Sequence, residues 1–257
     1  MQNSFPASRH VIGMLTPSSN TVLEPYTARM LEPLFPAVSA HFARFRVTRI
    51  ALDDSASDQF RQEPILAAAD LLADARTDII AWNGTSASWL GFDTDARLCA
   101  EIEARTGVKA TSCILGLNRL IAERGVKRLG VVTPYTADVG ARIAANYASL
   151  GVEVVAGAHE GLSDNFSFAD IDEDRIGQMC VEVAGAAPDA IAIVCTNMRG
   201  ALVGAEVERA LGIPVFDSVS ATLWGCLRAL DIPTAPLAPF GAIFAPPALA
   251  GLAQAGE

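Results

Sequence analysis

Positive charge is scarce in this chain. Nineteen lysines and arginines stand against 29 aspartates and glutamates, a formal net charge of −10 over 257 residues. Such a balance repels a phosphate backbone or an anionic bilayer, so neither nucleic acid nor membrane is expected as a partner. Long apolar runs are missing as well. No stretch of about 18 residues is free of both charge and proline, so no segment is expected to cross a bilayer. The most apolar late stretch, Ala235 to Gly251, is interrupted by Pro236, Pro239, Pro246 and Pro247. Met1 to His10 has no basic segment leading into an apolar run, and no export signal is expected from it. The five cysteines (Cys99, Cys113, Cys180, Cys195, Cys226) form no CxxC pair, and His10, His41 and His159 stand apart from one another. Neither set has metal-ligand spacing. The chain also lacks GxSxG, GxGxxG and the P-loop signature, so a serine-hydrolase elbow, a dinucleotide cofactor and a nucleotide phosphate site have no support. The expectation is a cytoplasmic protein with reduced thiols, without metal or organic cofactor.

What is present is a core-forming chain: 51% of its residues are hydrophobic, with 20 glycines and 14 prolines as punctuation. Disorder is excluded, and the length suits one large domain or two lobes. Short runs rich in Val and Ile are expected as strands at Val11–Leu15, Arg46–Leu52, Asp78–Trp82, Arg128–Thr133, Glu153–Ala156 and Ala190–Val194. Helical periodicity is expected over Pro64–Arg76, Asp93–Thr106, Leu115–Arg124, Val139–Leu150, Arg175–Ala186 and Gly204–Leu211. The charge run Asp170–Arg175 reads as a solvated helix start. Alternation of this kind gives βαβ units with right-handed crossovers and parallel sheets.

The chain also repeats itself. Gly13-Met14-Leu15-Thr16-Pro17 returns as Gly130-Val131-Val132-Thr133-Pro134. Asp78 to Thr85 (DIIAWNGT) returns as Asp189 to Thr196 (DAIAIVCT), and Gly107-Val108 returns as Gly212-Ile213, all in the same order. The fold class expected is therefore α/β, with two pseudo-symmetric Rossmann-like lobes. Each is a parallel sheet flanked by helices, and the active site lies in the cleft between them. Residues 1–115 plus 216–257 are assigned to the first lobe and residues 116–215 to the second.

Ligands of open parallel sheets bind beyond the carboxyl ends of the strands. Four repeat-related turns reach that edge: Thr16–Thr21, Asn83–Ser88, Thr133–Asp138 and Cys195–Gly200. Each is rich in hydroxyl or amide side chains and is expected to lead into a helix, whose first N–H groups attract anions. Such a cleft suits a small dicarboxylate. The repeat superimposes Gly84 on Cys195, so the thiol stands at a strand end before a helix, where its pKa can be lowered and it can move a proton. The other four cysteines are expected in the core. Trp82 and Trp89 flank the second turn and are expected to pack the core, while Tyr135 is expected to point into the cleft. The three histidines are expected at the surface or as caps.

Gly84-Thr85-Ser86, Tyr135 and Cys195-Thr196-Asn197 together resemble the aspartate/glutamate racemase superfamily, over essentially the whole chain. Its arylmalonate decarboxylase and maleate cis-trans isomerase branches are the nearest. The resemblance implies the two-lobed fold, cofactor-independent chemistry and a catalytic cysteine, Cys195. Racemases and maleate isomerases of the superfamily use two facing cysteines, whereas Gly84 stands in the first-lobe position here, as in arylmalonate decarboxylase. By that likeness Thr85, Ser86, Tyr135 and the N–H of Thr196 form a hole for one carboxylate. Ser18-Ser19-Asn20-Thr21 and Asn165 are similar to the maleate isomerase pattern, in which two asparagines hold the substrate's carboxylates. Three readings stay open: decarboxylation of a malonate-like diacid with Cys195 as proton donor, isomerisation or racemisation, and non-catalytic binding of small carboxylates. Two-lobed α/β enzymes often form homo-oligomers, but no sequence feature decides it.

Overall fold

A computed structural model describes residues 9–47 and 62–245. In chain order the first half runs β1 (His10–Pro17), α1 (Leu23–Leu31), β2 (Val38–Phe45), α2 (Gln62–Asp74), β3 (Ile79–Trp82), α3 (Ala87–Leu90), α4 (Asp93–Thr106), β4 (Lys109–Ser112) and α5 (Cys113–Glu123). The second half runs β5 (Arg128–Thr133), α6 (Ala137–Ser149), β6 (Glu153–His159), α7 (Glu173–Ala184), β7 (Ala190–Ile193), α8 (Gly200–Leu211), β8 (Val215–Asp217) and α9 (Ser218–Ala229). Short 3-10 helices cover Glu32–Leu34, Phe166–Asp170 and Ala235–Phe240.

The strands make two four-stranded sheets, ordered β2-β1-β3-β4 and β6-β5-β7-β8, and every pairing is parallel. The α/β class with two sheets of one design is thus as the repeat implied. The central strands are apolar from end to end, and all four residues of β3 and of β7 are buried. Strands covered by helices on both faces need no polar alternation. Chain order reverses between β1 and β3 in one sheet and between β5 and β7 in the other. A crevice opens at such a switch point beyond the strand ends, and there the four turns lie.

One expected strand is displaced. The partner of β1 is Val38–Phe45, paired from His10↔Val38 to Pro17↔Phe45. Of the expected Arg46–Leu52, residues 46 and 47 follow β2 outside any strand, and 48–52 lie outside the described residues. The burial of β2 is patchy because it is an edge strand, with an exposed His41 and Arg44 among buried Val38, Ala43 and Phe45. An edge strand with one wet face carries little apolar signal.

Helix starts follow from caps. The Ser112 hydroxyl accepts from the Leu115 N–H at 3.0 Å and starts α5 two residues before the expected Leu115. Asp172 accepts from the Arg175 N–H at 2.7 Å and starts α7. Asp217 accepts from the Val219 and Ser220 N–H groups and starts α9. Each removes an orphan donor of the first turn. The strand β8 still belongs to the second sheet, whereas α9 packs on α5, β4 and α1.

Helices α5 and α9 approach most closely at glycine. A Cβ on Gly116 would stand 2.7 Å from the Ala221 carbonyl oxygen, and one on Gly225 would stand 3.4 Å from the Gly116 Cα. Backbone cannot yield as a side-chain tip can, so Gly116→Val is expected to lower unfolding stability by about 1–3 kcal/mol. A urea midpoint equal to that of the parent protein would contradict this packing.

Candidate active site

Each of the four turns is fixed by polar side chains. After β1, the guanidinium of Arg44 on β2 donates to the Ser18 and Asn20 carbonyls, 3.0 Å each. Asn20 Oδ1 accepts from the Val22 and Leu23 N–H groups at the start of α1. After β3, the Asn83 amide donates to the Leu15 and Ala81 carbonyls, and α3 begins within the turn. After β5, Thr133 Oγ1 is 2.8 Å from His159 Nδ1 and accepts from the Tyr135 N–H. The Tyr135 ring meets Trp89 and Phe168 edge-on, with centroids 5.1 and 5.4 Å apart. After β7 comes Cys195.

Contacts between the lobes converge on these turns. Thr196 Oγ1 donates to the Asn83 carbonyl (3.0 Å) and accepts from Asn20 Nδ2 (3.1 Å). Asn197 Oδ1 accepts from the Thr21 N–H (2.9 Å), and its Nδ2 donates to the Asn165 carbonyl (2.5 Å). Asn165 Nδ2 in turn donates to Ser19 Oγ at 2.7 Å. Thr85 Oγ1 and Tyr135 OH lie 2.6 Å apart across the cleft.

Between the turns lies a cavity of about 20 Å³, room for about one water. Its wall is Pro17, Val47, Trp82, Asn83, Gly84, Thr85, Ser86, Trp89, Tyr135, Asn165, Cys195 and Thr196. Seven of the eight site residues read from the sequence are therefore together: Cys195, Gly84, Thr85, Ser86, Tyr135, Asn165 and Thr196. Asn20 is not on the wall; it is buried behind it, where it ties α1 to Thr196. Trp82 and Trp89 are buried, as expected of core residues, and also face the cavity. His159 differs from expectation. It is a half-buried partner of the Thr133 turn, its ring in a slot that a side chain on Gly140 or Gly157 would fill.

Among the described residues the donors of this wall are neutral, and no Lys, Arg or His lines it. The backbone N–H groups of Gly84, Thr85, Ser86, Cys195 and Thr196 have no acceptor among the described residues, and neither has the Ser86 hydroxyl. Buried N–H groups are almost always paired. A cluster of unpaired ones around a cavity is a seat for anionic oxygens.

Cys195 is buried, and burial pushes its thiol up to about 12. This corrects the expectation of a lowered pKa: α8 begins only at Gly200, and desolvation outweighs what the turn supplies. That supply is nonetheless specific. The Asn197 N–H donates to Sγ at 3.3 Å, and the Met198 N–H and Tyr135 hydroxyl also favour the thiolate. Tyr135 itself is held well above its ordinary value by burial and by the neighbouring Cys195. At neutral pH the site therefore holds a protonated thiol beside ready hydrogen-bond donors for its charged form.

The sequence reading missed Asn197 as the knot between the lobes, and Ser19, whose hydroxyl links the Asn165 amide to the Val47 carbonyl. The amide-rich turn was the available signal for Asn197. It also missed the position of the Trp82 ring, whose Cζ2 and Cε2 would lie 1.9 and 2.3 Å from a Cβ on Gly84.

The chain is similar to known proteins over most of its length. The chain is 28% identical to the arylmalonate decarboxylase of Bordetella bronchiseptica over 228 residues, covering 86% of this chain and 91% of that protein. It is 24% identical to the maleate isomerase of Geobacillus stearothermophilus, covering 87% and 92%. The Nocardia farcinica maleate cis-trans isomerase structure bound to TRIS superposes with a TM-score of 0.81 at 22% identity, over 91% of this chain and 97% of that one, a likeness of fold. The arylmalonate decarboxylase family model matches residues 21–240, and the chain belongs to that family.

Proposed function

We propose that the protein is a cofactor-independent decarboxylase of a substituted malonate, with Cys195 as the proton donor to the carbanion. The observation that carries this reading is the meeting, in one cavity, of a protonated thiol with N–H and hydroxyl donors from both lobes that have no acceptor among the described residues.

A malonate is larger than the cavity of about 20 Å³, so the turns must part to admit it; one carboxylate is then kept by the Ser86 hydroxyl, the Thr85–Tyr135 pair and the N–H groups of Thr85, Ser86 and Thr196. The other faces Pro17, Val47, Trp82 and Trp89, where a charge is poorly solvated. The bond from Cα to that carboxylate breaks, CO2 leaves, and the electron pair moves onto the retained carboxylate as an enediolate. Hydrogen bonds aimed at this developing charge lower the barrier most, about 3 kcal/mol for one such donor. The S–H bond of Cys195 then breaks and its proton goes to Cα. The thiolate left behind meets the N–H groups of Asn197 and Met198 and the Tyr135 hydroxyl, and is reprotonated from water.

A second reading, maleate isomerisation, draws on Asn165, which lines the cavity as a candidate carboxylate holder. It needs Cys195 to add to an alkene as a thiolate, which burial disfavours, and Cys195 is the sole thiol on the wall. Incubating the protein with malonates, maleate, aspartate and glutamate in D2O separates the readings. The expected result is CO2 release from a substituted malonate, with one deuterium at Cα. Conversion of maleate without CO2 release would establish the isomerase instead, and deuterium uptake into aspartate or glutamate a racemase.

The net charge of −10 opposes collection of a dianion, and the described residues of the wall answer with neutral donors. Salt shortens that opposing field to about 8 Å at physiological ionic strength. The value of kcat/KM is therefore expected to rise with added salt. A fall with salt would point to an attractive field around the cleft.

A further inference from the structure

The repeat that aligns Gly84 with Cys195 also aligns Trp82 with Ile193. Side chains two residues apart on a strand leave the same face, so a large residue at 82 can reach over position 84. The structure shows this arrangement. The six-membered part of the Trp82 indole fills the place of a side chain on Gly84, with Cζ2, Cε2 and Cη2 at 1.9, 2.3 and 2.6 Å from the Cβ position. In the second lobe the aligned residue is the smaller Ile193, beside Cys195 in place of glycine.

Trp82 is not free to swing away. It is almost wholly buried, its ring lies 5.2 Å from that of Phe45, and its side chain is hydrogen-bonded to the Asp95 carboxyl, which Ser112 also holds. Asp95 stands in the first turn of α4 and is itself buried. A locked aromatic face therefore stands on the cavity wall where two-fold symmetry would put a second thiol.

We propose that Trp82 is a specificity-determining residue of this site: its indole occupies the first-lobe seat equivalent to the Cys195 side chain, and so excludes a second proton donor, side chain or water, from the opposite face of the bound carbanion. This rests on the decarboxylase reading for its chemistry, but the occupied seat is testable without turnover.

The chemical test uses a malonate with two different substituents on Cα and reads the handedness of the product. The parent protein is expected to give one enantiomer in excess. Gly84→Cys alone is expected not to raise the opposite enantiomer, because the indole blocks the new side chain. Gly84→Cys with Trp82→Ala is expected to raise it at least about tenfold. A single Gly84→Cys change that raises it as much as the pair, or a pair that leaves it unchanged, would overturn the proposal.

The second test is a stability cycle. Gly84→Ala is expected to lower the urea midpoint in the parent protein and to cost much less in the Trp82→Ala background. Equal losses in both backgrounds would overturn the proposal whatever the activity. Should no malonate be decarboxylated while the cycle shows coupling, the decarboxylase reading fails and the occupied seat stands. A Gly84→Cys protein that folds only when Trp82 is also replaced gives the same coupling.

Discussion

Replacing Cys195 by alanine is expected to reduce malonate turnover by about 10²–10⁴-fold, the usual contribution of a positioned general acid, while changing carboxylate affinity by no more than a few-fold. The division follows from the geometry. In the proposed mechanism the oxygens of the retained carboxylate are held by Ser86, Thr85, Tyr135 and backbone N–H groups, none of which the substitution removes. The lost S–H is needed only after CO2 has left. Cys195→Ser is expected to recover little, because an alcohol is a far weaker acid than a thiol and the N–H groups of Asn197 and Met198 are placed for a larger sulfur. Turnover kinetics beside calorimetric binding of a non-reactive carboxylate would check both parts. Full activity in Cys195→Ala would exclude the thiol as proton donor. A protein that binds carboxylates alike with and without the thiol, and turns over no diacid, would be a binder.

The second large effect is a steep loss of stability in alkali. Burial pushes the thiols of Cys113, Cys180, Cys195 and Cys226 up to about 12, and that of Cys99 further still. All five are free and buried. In the unfolded chain they ionise near 9.0. Above that pH the unfolded state releases protons that the folded state retains, so the equilibrium moves toward unfolding until the folded-state values are reached. Each thiol contributes a slope of up to about 1.4 kcal/mol per pH unit, and five together give about 7. Against a typical total of about 5–15 kcal/mol, the protein is expected to unfold within about two units above pH 9. Urea midpoints in reducing buffer between about pH 8 and 10 would show it, and Cys180→Val or Cys226→Val should remove about a fifth of the slope. A midpoint constant over that range would mean that the thiols are hydrated in the native state.

Most of the fold was legible because its central strands are short apolar runs that recur. Ile79–Trp82 and Ala190–Ile193 carry the same chemistry in the same order, and both are fully buried. The edge strand Val38–Phe45 escaped because one of its faces is wet, so its pattern mixes histidine and arginine with valine and phenylalanine. The strands Lys109–Ser112 and Val215–Asp217 escaped because three or four residues make no period.

For the site, residue type and turn position brought seven residues to one cavity. They could not separate a wall residue from one just behind it, as with Asn20. Its amide is engaged by α1 and Thr196, a contact made across 176 residues of sequence. Nor could they give the sign of the Cys195 shift. A strand end before a helix suggests a lowered pKa, but the balance is set by how many side chains cover the sulfur, and here burial dominates. The ring of Trp82 over Gly84 was concealed for a related reason. Strand alternation allows it, yet only the anchors at Phe45 and Asp95 decide which way the indole lies.

The most direct measurement is a crystal structure with a bound monocarboxylate that resembles the decarboxylated product. One carboxylate oxygen is expected on the Ser86 hydroxyl and the other toward Thr85 and Tyr135, both within reach of the unpaired N–H groups, with Cα turned to the sulfur of Cys195. A carboxylate bound elsewhere, or one whose Cα faces Trp82 with the sulfur out of reach, would contradict proton delivery by Cys195.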